Sequence, residues 1–428
     1  MSGRRLLLPL ASALDGTATS LPPHHLVGVG ESQFLLYFVR MIEPIIVVGG
    51  GFGGIYTTKH LLNAGLPVLL ISEHNFFTFT PLLHEVATGS LTTSDVTFEY
   101  SSFFRSKRFR FVRGTVDNID LKQHKVYIGE TSFEFQSLVI ATGSTTHYYN
   151  ISGTEHCLPL KTIEDALQIK RRVLELAQNA DHDVRINVIG AGPTGVELVL
   201  EINDLLHSLQ KRNTDLSYHL RLINAGDSIL APFTKSVQSF AQRVLENAGI
   251  EIVHKAIAKE FTASKIITTA GNFDTNLTIM AAGVTPQTQC VDQEHVDERE
   301  HIHVNEHLQV RGYENIFALG DIIVMNGQPI PKLAQTAVQE AKVVAQNIMR
   351  LQKKQPLVSC SLKLKGSLVS LGAKQGAGTI FGMTVKGLFA WWLWRTVYLL
   401  KTPGLTNKLR VAFSWTLNLF TGRDLSER

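Results

Sequence analysis

Cysteine is scarce in this sequence: three residues, at 157, 290 and 360, stand far apart. No CxxC or CxxxxC occurs, which excludes a zinc ribbon and a redox-active disulfide of the usual spacing. Three free thiols suit a reducing compartment. Charged residues are also few, at 18%, and a net charge of +4 gives no reason to expect a nucleic-acid partner. Tryptophan is missing until position 391. No apolar run reaches the roughly 20 residues that a membrane-spanning helix needs. What is abundant is apolar side chain, 44% of 428 residues, enough for two or three domains with sizeable cores and too much for disorder.

The charge is unevenly placed. Residues 361–428 hold ten Lys/Arg against Asp424 and Glu427, a net +8, so the remaining chain carries −4 of the total of +4. The same stretch holds all four tryptophans, Trp391, Trp392, Trp394 and Trp415. A basic, Trp-rich, apolar tail on a mildly acidic body marks a module boundary. At the other end, Arg4-Arg5 and a short apolar run broken by Pro9 loosely imitate a targeting peptide. Residues 1–40 are read as a dispensable or mis-assigned leader, with Met41 the natural start before Pro44.

Two segments share one grammar. Ile45-Ile46-Val47-Val48 is a short apolar run suited to a strand buried on both faces. It is followed by Gly49, Gly51 and Gly54 in a GxGxxG, by a helical stretch, and by the strand Val68–Ile71. Much later, Ile186–Ile189 leads into Gly190, Gly192 and Gly195, a helix, and the strand Leu220–Ile223. Each glycine has its own purpose: a tight turn, close approach of backbone to a pyrophosphate, and close packing of helix on strand. The helix N-terminus adds unpaired N–H groups for the phosphates. One such motif is weak evidence; two, both between strand and helix, are strong evidence for two dinucleotide sites.

Each unit needs a ribose reader after its second strand. In the first, Glu73 lies 22 residues beyond Gly51 and suits the ribose hydroxyls of an adenosine. In the second the place holds Asn224, with Asp227 available if the alignment slips, so NADH and NADPH both stay open. The strand 138–141 ends in Thr142-Gly143, and the strand 277–282 ends in Gly283. Both turns read as crossings between domains beside a bound cofactor. Asp321, in Ala318-Leu319-Gly320-Asp321, is placed to accept from sugar or ribityl hydroxyls.

The order GxGxxG, ATG, GxGxxG, ALGD resembles the two-dinucleotide-binding flavoprotein reductases. From about Pro44 onward the chain is most similar to the type II NADH dehydrogenases. The residues that carry this are Phe79–Gly89 (FTPLLHEVATG), Gly192–Glu197 (GPTGVE), Leu333–Gln339 (LAQTAVQ) and the Trp-rich tail. FTPLL stands where disulfide reductases of the same fold carry CxxxxC, so dithiol chemistry is excluded, and with it a sulfide:quinone reductase that would need paired cysteines. The resemblance implies FAD, NADH (or NADPH) as hydride donor, and a membrane quinone as acceptor. Ala334, Gln335 and Gln339 match the AQxAxQ that lines the quinone pocket; four residues apart, both amides share a helix face. Glu197 is implied near the meeting of nicotinamide, quinone and flavin.

The implied fold class is α/β, with two Rossmann-like domains, the second inserted in the first, and a C-terminal amphipathic helical region. The expected bounds are 41–160 and 275–355 for the FAD domain, 161–274 for the NAD(P)H domain and 356–428 for the tail. In the tail, Leu405, Leu409, Ala412, Phe413, Leu417 and Phe420 fall largely at helical spacing, with Lys408 and Arg410 beside them. This describes a helix lying on an anionic lipid surface, or a homodimer interface. The expected enzyme is a non-pumping FAD-dependent NADH:quinone oxidoreductase, peripheral on the cytoplasmic face of a bacterial inner membrane, or on an organelle membrane if the leader is a transit peptide. The alternatives are an NADPH-preferring naphthoquinone or plastid-type quinone reductase and an NADH-sensing flavoprotein acting through a partner.

Overall fold

Ile45–Val48 (β1) has no polar side chain, and every one of its residues is buried, as a strand covered on both faces must be. It opens the part of the chain that the computed structural model describes: residues 44–179, 183–372, 374–421 and 423. The segment read as a leader lies outside these residues. After β1 come helix α1 (Phe52–Asn63), β2 (Val68–Ser72), a short helix α2 (Leu83–Val86), β3 (Phe109–Arg113) and β4 (Ser137–Ile140). The next block holds β5 (Cys157–Pro159), α3 (Ile163–Gln178), β6 (Val184–Ile189), α4 (Pro193–Gln210), β7 (Tyr218–Ile223), α5 (Lys235–Asn247), β8 (Glu251–Val253) and β9 (Leu277–Met280). The chain then returns with β10 (Ile316–Ala318) and α6 (Ala334–Gln352).

Two five-stranded parallel sheets result. The first has the order β10-β4-β1-β2-β3, the second β5-β9-β6-β7-β8. Because β10 completes the first sheet after every strand of the second, the second unit is inserted in the first. The crossings are held together by an antiparallel ladder of residues 144–146 with 284–286. In the first sheet, α6 lies against α1, and small residues permit this: Gly53 and Gly54 on α1, Ala337 and Ala341 on α6 are buried. Burying each Val, Leu or Ile of these strands contributes about 1.5–3 kcal/mol, so the strand interiors are the main source of stability.

The tail contains the expected helices, preceded by strands that the sequence reading did not include. A three-stranded antiparallel sheet comes first: β11 (Gly366–Ser370), β12 (Gly376–Ile380) and β13 (Met383–Lys386). Only then follow α7 (Gly387–Lys401) and α8 (Leu405–Thr421). Both helices are two-faced. Ala390, Trp394, Val411 and Trp415 are buried, whereas Leu388, Phe389, Trp392, Leu405, Leu409, Phe413 and Leu417 are exposed, Leu405 by 74%. Among the described residues no helix is long and apolar enough to cross a membrane. The three cysteines are free, two of them buried, as expected.

Candidate functional site

The two glycine motifs fold alike down to single atoms. Gly49 and Gly190 take φ of +102° and +105°, where a side chain would be strained. A Cβ on Gly54 would lie 1.8 Å from the Gly49 carbonyl oxygen, and one on Gly195 1.9 Å from that of Gly190. At Gly51 and Gly192, by contrast, a Cβ would meet nothing within 4 Å. These middle glycines face open space at the N-termini of α1 and α4, and neither helix start is capped by a side chain. Unpaired N–H groups with room in front of them fit the pyrophosphate of a dinucleotide. The residues present therefore fit FAD at the first cradle and a nicotinamide dinucleotide at the second.

The ribose readers part company here. Glu73 stands exposed one residue beyond β2, its carboxylate accepting from Thr115 Oγ1 at 3.2 Å. Asn224 follows β7 directly, but its amide is spent on its own turn: Nδ2 donates to the carbonyls of Gly226 (3.1 Å) and Ser228 (3.0 Å). Asp227 is exposed and pairs with Lys255 at 3.2 Å. Thr142 Oγ1 donates to the Gln287 carbonyl at 2.5 Å, tying the first crossing to the second. Gly143 and Gly283 occupy matching positive-φ turns after β4 and β9. Asp321, just past β10, accepts from Ser144 Oγ at 2.5 Å and lies 3.8 Å from Lys161 Nζ. Below that turn, the buried Glu340 of α6 accepts the Gly320 N–H at 2.7 Å. Burial raises its pKa to about 7, and its second oxygen has no partner among the described residues.

At the start of α6, Gln335 and Gln339 share one face, as their spacing required. Gln339 Oε1 accepts the Lys363 N–H at 3.0 Å, Gln339 Nε2 donates to the Gln335 carbonyl at 3.1 Å, and Gln335 Nε2 reaches the Lys363 carbonyl at 3.4 Å. Ala334 beside them is only partly buried. Glu197 is held elsewhere on the same tail segment, where its Oε1 accepts the Ser370 N–H at 2.9 Å. No hydrogen bond joins the glutamine pair to Glu197 among the described residues; β11 and the residues before it run between them.

Around Glu197 lies a buried polar cluster that sequence reasoning did not single out. His84 Nδ1 is 3.9 Å from Glu197 Oε2. Burial pushes the His84 ring down to about 4 and Glu197 up to about 8, so at neutral pH this is a contact between two uncharged groups. Burial also lifts Glu85 to about 7, against the pull of Arg395, and its Oε2 accepts Trp415 Nε1–H at 2.6 Å. Glu201 is the exception. Burial opposes its charge, yet Arg423 at 2.9 Å and Ser90 at 3.1 Å hold its pKa below the usual value. The cluster joins α2, α4, α7 and the end of the tail. The signals that could have found it were an HE pair inside an otherwise apolar run and the i,i+4 spacing of Glu197 and Glu201.

Comparison with known proteins matches this geometry. The family model for pyridine nucleotide-disulphide oxidoreductases matches residues 43–341, and that for the NDH2 C-terminal domain matches residues 364–424. The type II NADH:quinone oxidoreductase NdhA of Mycobacterium tuberculosis is 28% identical over 416 residues, covering 89% of this chain and 87% of the relative. The demethylphylloquinone reductase NdbB of Synechocystis is 29% identical over 392 residues, covering 87% and 95%. Among solved structures, NDH2 from Plasmodium falciparum in complex with NADH is similar with a TM-score of 0.82 at 21% identity, covering 90% of this chain and 99% of that one.

Proposed function

The chain belongs to the pyridine nucleotide-disulphide oxidoreductases and, among them, to the type II NADH dehydrogenases, and we propose from this premise how its residues divide the work of an FAD-dependent NADH:quinone oxidoreductase. The observation that carries the reading is the pair of equivalent glycine cradles, each with an uncapped helix start, in a chain with no cysteine pair. One cradle takes FAD and the other NADH. Bound FAD supplies the chemistry, accepting hydride from NADH and passing two electrons to quinone.

The protein's own share is orientation and proton supply. Gly49, Gly51, Gly54, Glu73, Thr142, Gly143 and Asp321 hold the flavin nucleotide. Gly190, Gly192, Gly195 and Gly283 hold the nicotinamide nucleotide, with Asn224 shaping the turn at its ribose end. Ala334 leaves room for a flat ring, and the amides of Gln335 and Gln339 orient the quinone carbonyls without a fixed charge. Reduction of quinone to quinol by NADH consumes one proton from the medium. Glu197, neutral near pH 7, is the residue we assign to deliver it. No pumping is expected, since no spanning helix with buried charges is found among the described residues.

The bounds expected from the sequence are 41–160 with 275–355 for FAD, 161–274 for NADH and 356–428 for docking; because β5 (Cys157–Pro159) and β9 (Leu277–Met280) pair within the second sheet, we place the NADH unit at 157–280 instead. The exposed apolar stripe of α7 and α8 favours a monotopic enzyme, lying on the cytoplasmic face of a bacterial inner membrane where NADH is available. An organelle membrane replaces it if residues 1–40 are a transit peptide. A homodimer burying the same stripe is the competing use. Asn224 offers no carboxylate to repel a 2′-phosphate, so NADPH stays open as a second donor beside NADH.

Anaerobic mixing of the flavin-loaded protein with NADH, and separately with NADPH, tests the reading. Rapid bleaching of flavin absorbance by NADH, reversed by a short-chain quinone, is expected. Bleaching without recovery would instead leave a nucleotide-sensing flavoprotein, and faster bleaching by NADPH would make that nucleotide the donor.

A further inference from the structure

One cation beside Asp321, a residue assigned to the flavin nucleotide, has no task in that division of work. Lys161 follows β5, on the nicotinamide side, yet its ammonium reaches across to the first sheet. Its Nζ donates to Ser144 Oγ at 2.8 Å, and Ser144 Oγ in turn donates to Asp321. Ser144 and Asp321 stand just past the C-terminal ends of β4 and β10, neighbouring strands of one parallel sheet, where open α/β folds bind their ligands. The lysine is anchored from behind as well, because its backbone N–H donates to Asp165 at 2.9 Å.

Several features separate this arrangement from an ordinary ion pair. The ammonium sits 3.8 Å from the Asp321 carboxylate, with the serine hydroxyl interposed, rather than in direct contact. Lys161 keeps 32% of its side chain accessible and Asp321 23%, so both are partly buried, neither on the open surface nor in the core. Burial holds the Lys161 pKa below that of an ordinary lysine, with Asp321 opposing. Exposed Lys332, just before α6, feels the same pair: burial lowers its pKa, Asp321 raises it and Lys161 lowers it again. Lys332 is also drawn by Asp297, so Asp321 is left as the carboxylate beside Lys161.

We propose that Lys161, held in place by Ser144 and Asp321, faces the flavin ring and stabilises the negative charge gained on reduction, thereby setting the flavin's reduction potential. Hydride from NADH carries two electrons and one proton. Delivered to a neutral ring system, it adds one net negative charge until a second proton arrives. A fixed, partly buried ammonium favours that charged form over the oxidised one. Lys161 is on this view a positioning charge that makes hydride transfer from NADH more favourable. The inference rests on the flavin reading of the first cradle.

The test is an equilibrium redox titration of the holoenzyme against dyes of graded potential, with FAD content measured alongside. Lys161→Met is expected to lose about tenfold or more of the preference for reduced over oxidised flavin, which for a two-electron couple moves the midpoint about 30 mV more negative per tenfold. Lys161→Arg should keep the wild-type midpoint, and Ser144→Ala should fall between. An unmoved midpoint in flavin-replete Lys161→Met overturns the proposal. So does equal weakening of oxidised and reduced FAD binding, which would assign the lysine to phosphate or ribityl. If Lys161→Met retains no flavin, Ser144→Ala decides, and a wild-type midpoint there overturns it. Failure of the flavin reading itself would be distinct, since the wild-type protein would then bind no FAD.

Discussion

At the scale of single residues, three buried carboxyls set an unusual pH response. Glu85 and Glu340 are raised to about 7 and Glu197 to about 8, each chiefly by burial, from an ordinary value of 4.5. In the unfolded chain these groups lose their protons near pH 4.5; in the fold they keep them to pH 7 or 8. Stability rises with pH only where the unfolded state binds more protons, so here it must fall as pH rises through the folded pKa values. His84, lowered to about 4, works in the opposite sense, but only below its ordinary value of 6.5. The window free of that opposition is pH 6.5 to 8, where thermal unfolding of the wild type should move to lower temperature as pH rises. Glu340→Gln keeps an acceptor for the Gly320 N–H and removes one of the three groups. It should flatten the slope and be more stable than wild type at pH 8 by up to about 3 kcal/mol. An identical slope in variant and wild type would show that Glu340 is ionised in the fold. The glutamine pair gives a kinetic counterpart. Gln335→Ala with Gln339→Ala should leave flavin reduction by NADH unchanged and slow reoxidation by quinone, about tenfold for each lost hydrogen bond. Stopped-flow absorbance separates the two half-reactions, and slowed reduction with normal reoxidation would remove both residues from the quinone site.

Among the elements, α8 shows how a helix divides its faces between two jobs. Leu405, Leu409, Phe413 and Leu417 recur every four residues and all face outward. The opposite face is fastened by polar bonds: Ser414 to Asp95 at 3.1 Å, Arg410 to the Ser94 carbonyl at 3.0 Å, and Trp415 to Glu85. With the inner face already bonded, the exposed apolar side chains of Leu405, Leu409 and Phe413 form the surface that a lipid layer or a second copy would bury. Leu409→Glu with Phe413→Glu removes two apolar groups, each contributing about 1.5–3 kcal/mol when buried. Co-sedimentation with vesicles containing anionic lipid should therefore fall by at least about 100-fold. Turnover with NADH and a water-soluble quinone should persist, because neither residue contacts the cradles. Unchanged vesicle binding together with a shift from dimer to monomer in analytical ultracentrifugation would make the stripe a dimer interface.

Across the whole molecule, what could be read in advance was what neighbouring residues impose on one another. The strand–glycine–helix units around Gly49 and Gly190 were legible because each glycine answers a local clash or turn. The pairing of Gln335 with Gln339 was legible because a helix fixes that spacing. The sheet of residues 366–386 was not. Its strands are four or five residues long, and the turn between β12 and β13 places Phe381 and Gly382 both at positive φ, a task usually signalled by Asn-Gly. The acid cluster escaped for a different reason: Glu85 meets Trp415 and Glu201 meets Arg423 only once the tail has docked. Lys161 was hidden likewise, since its partners Ser144 and Asp321 belong to the other sheet. One consequence of the insertion concerns biosynthesis. Strand β10 lies beside β4, yet the entire second sheet is translated between them. On the ribosome, the nicotinamide unit has all its strands before the flavin unit has its last, so the inner unit can form first. Closing so long a loop is slow. The flavin unit waits for β10 and Asp321 to emerge, which makes cofactor capture a late event in the life of the nascent chain and leaves its half-built sheet edge unpaired until then.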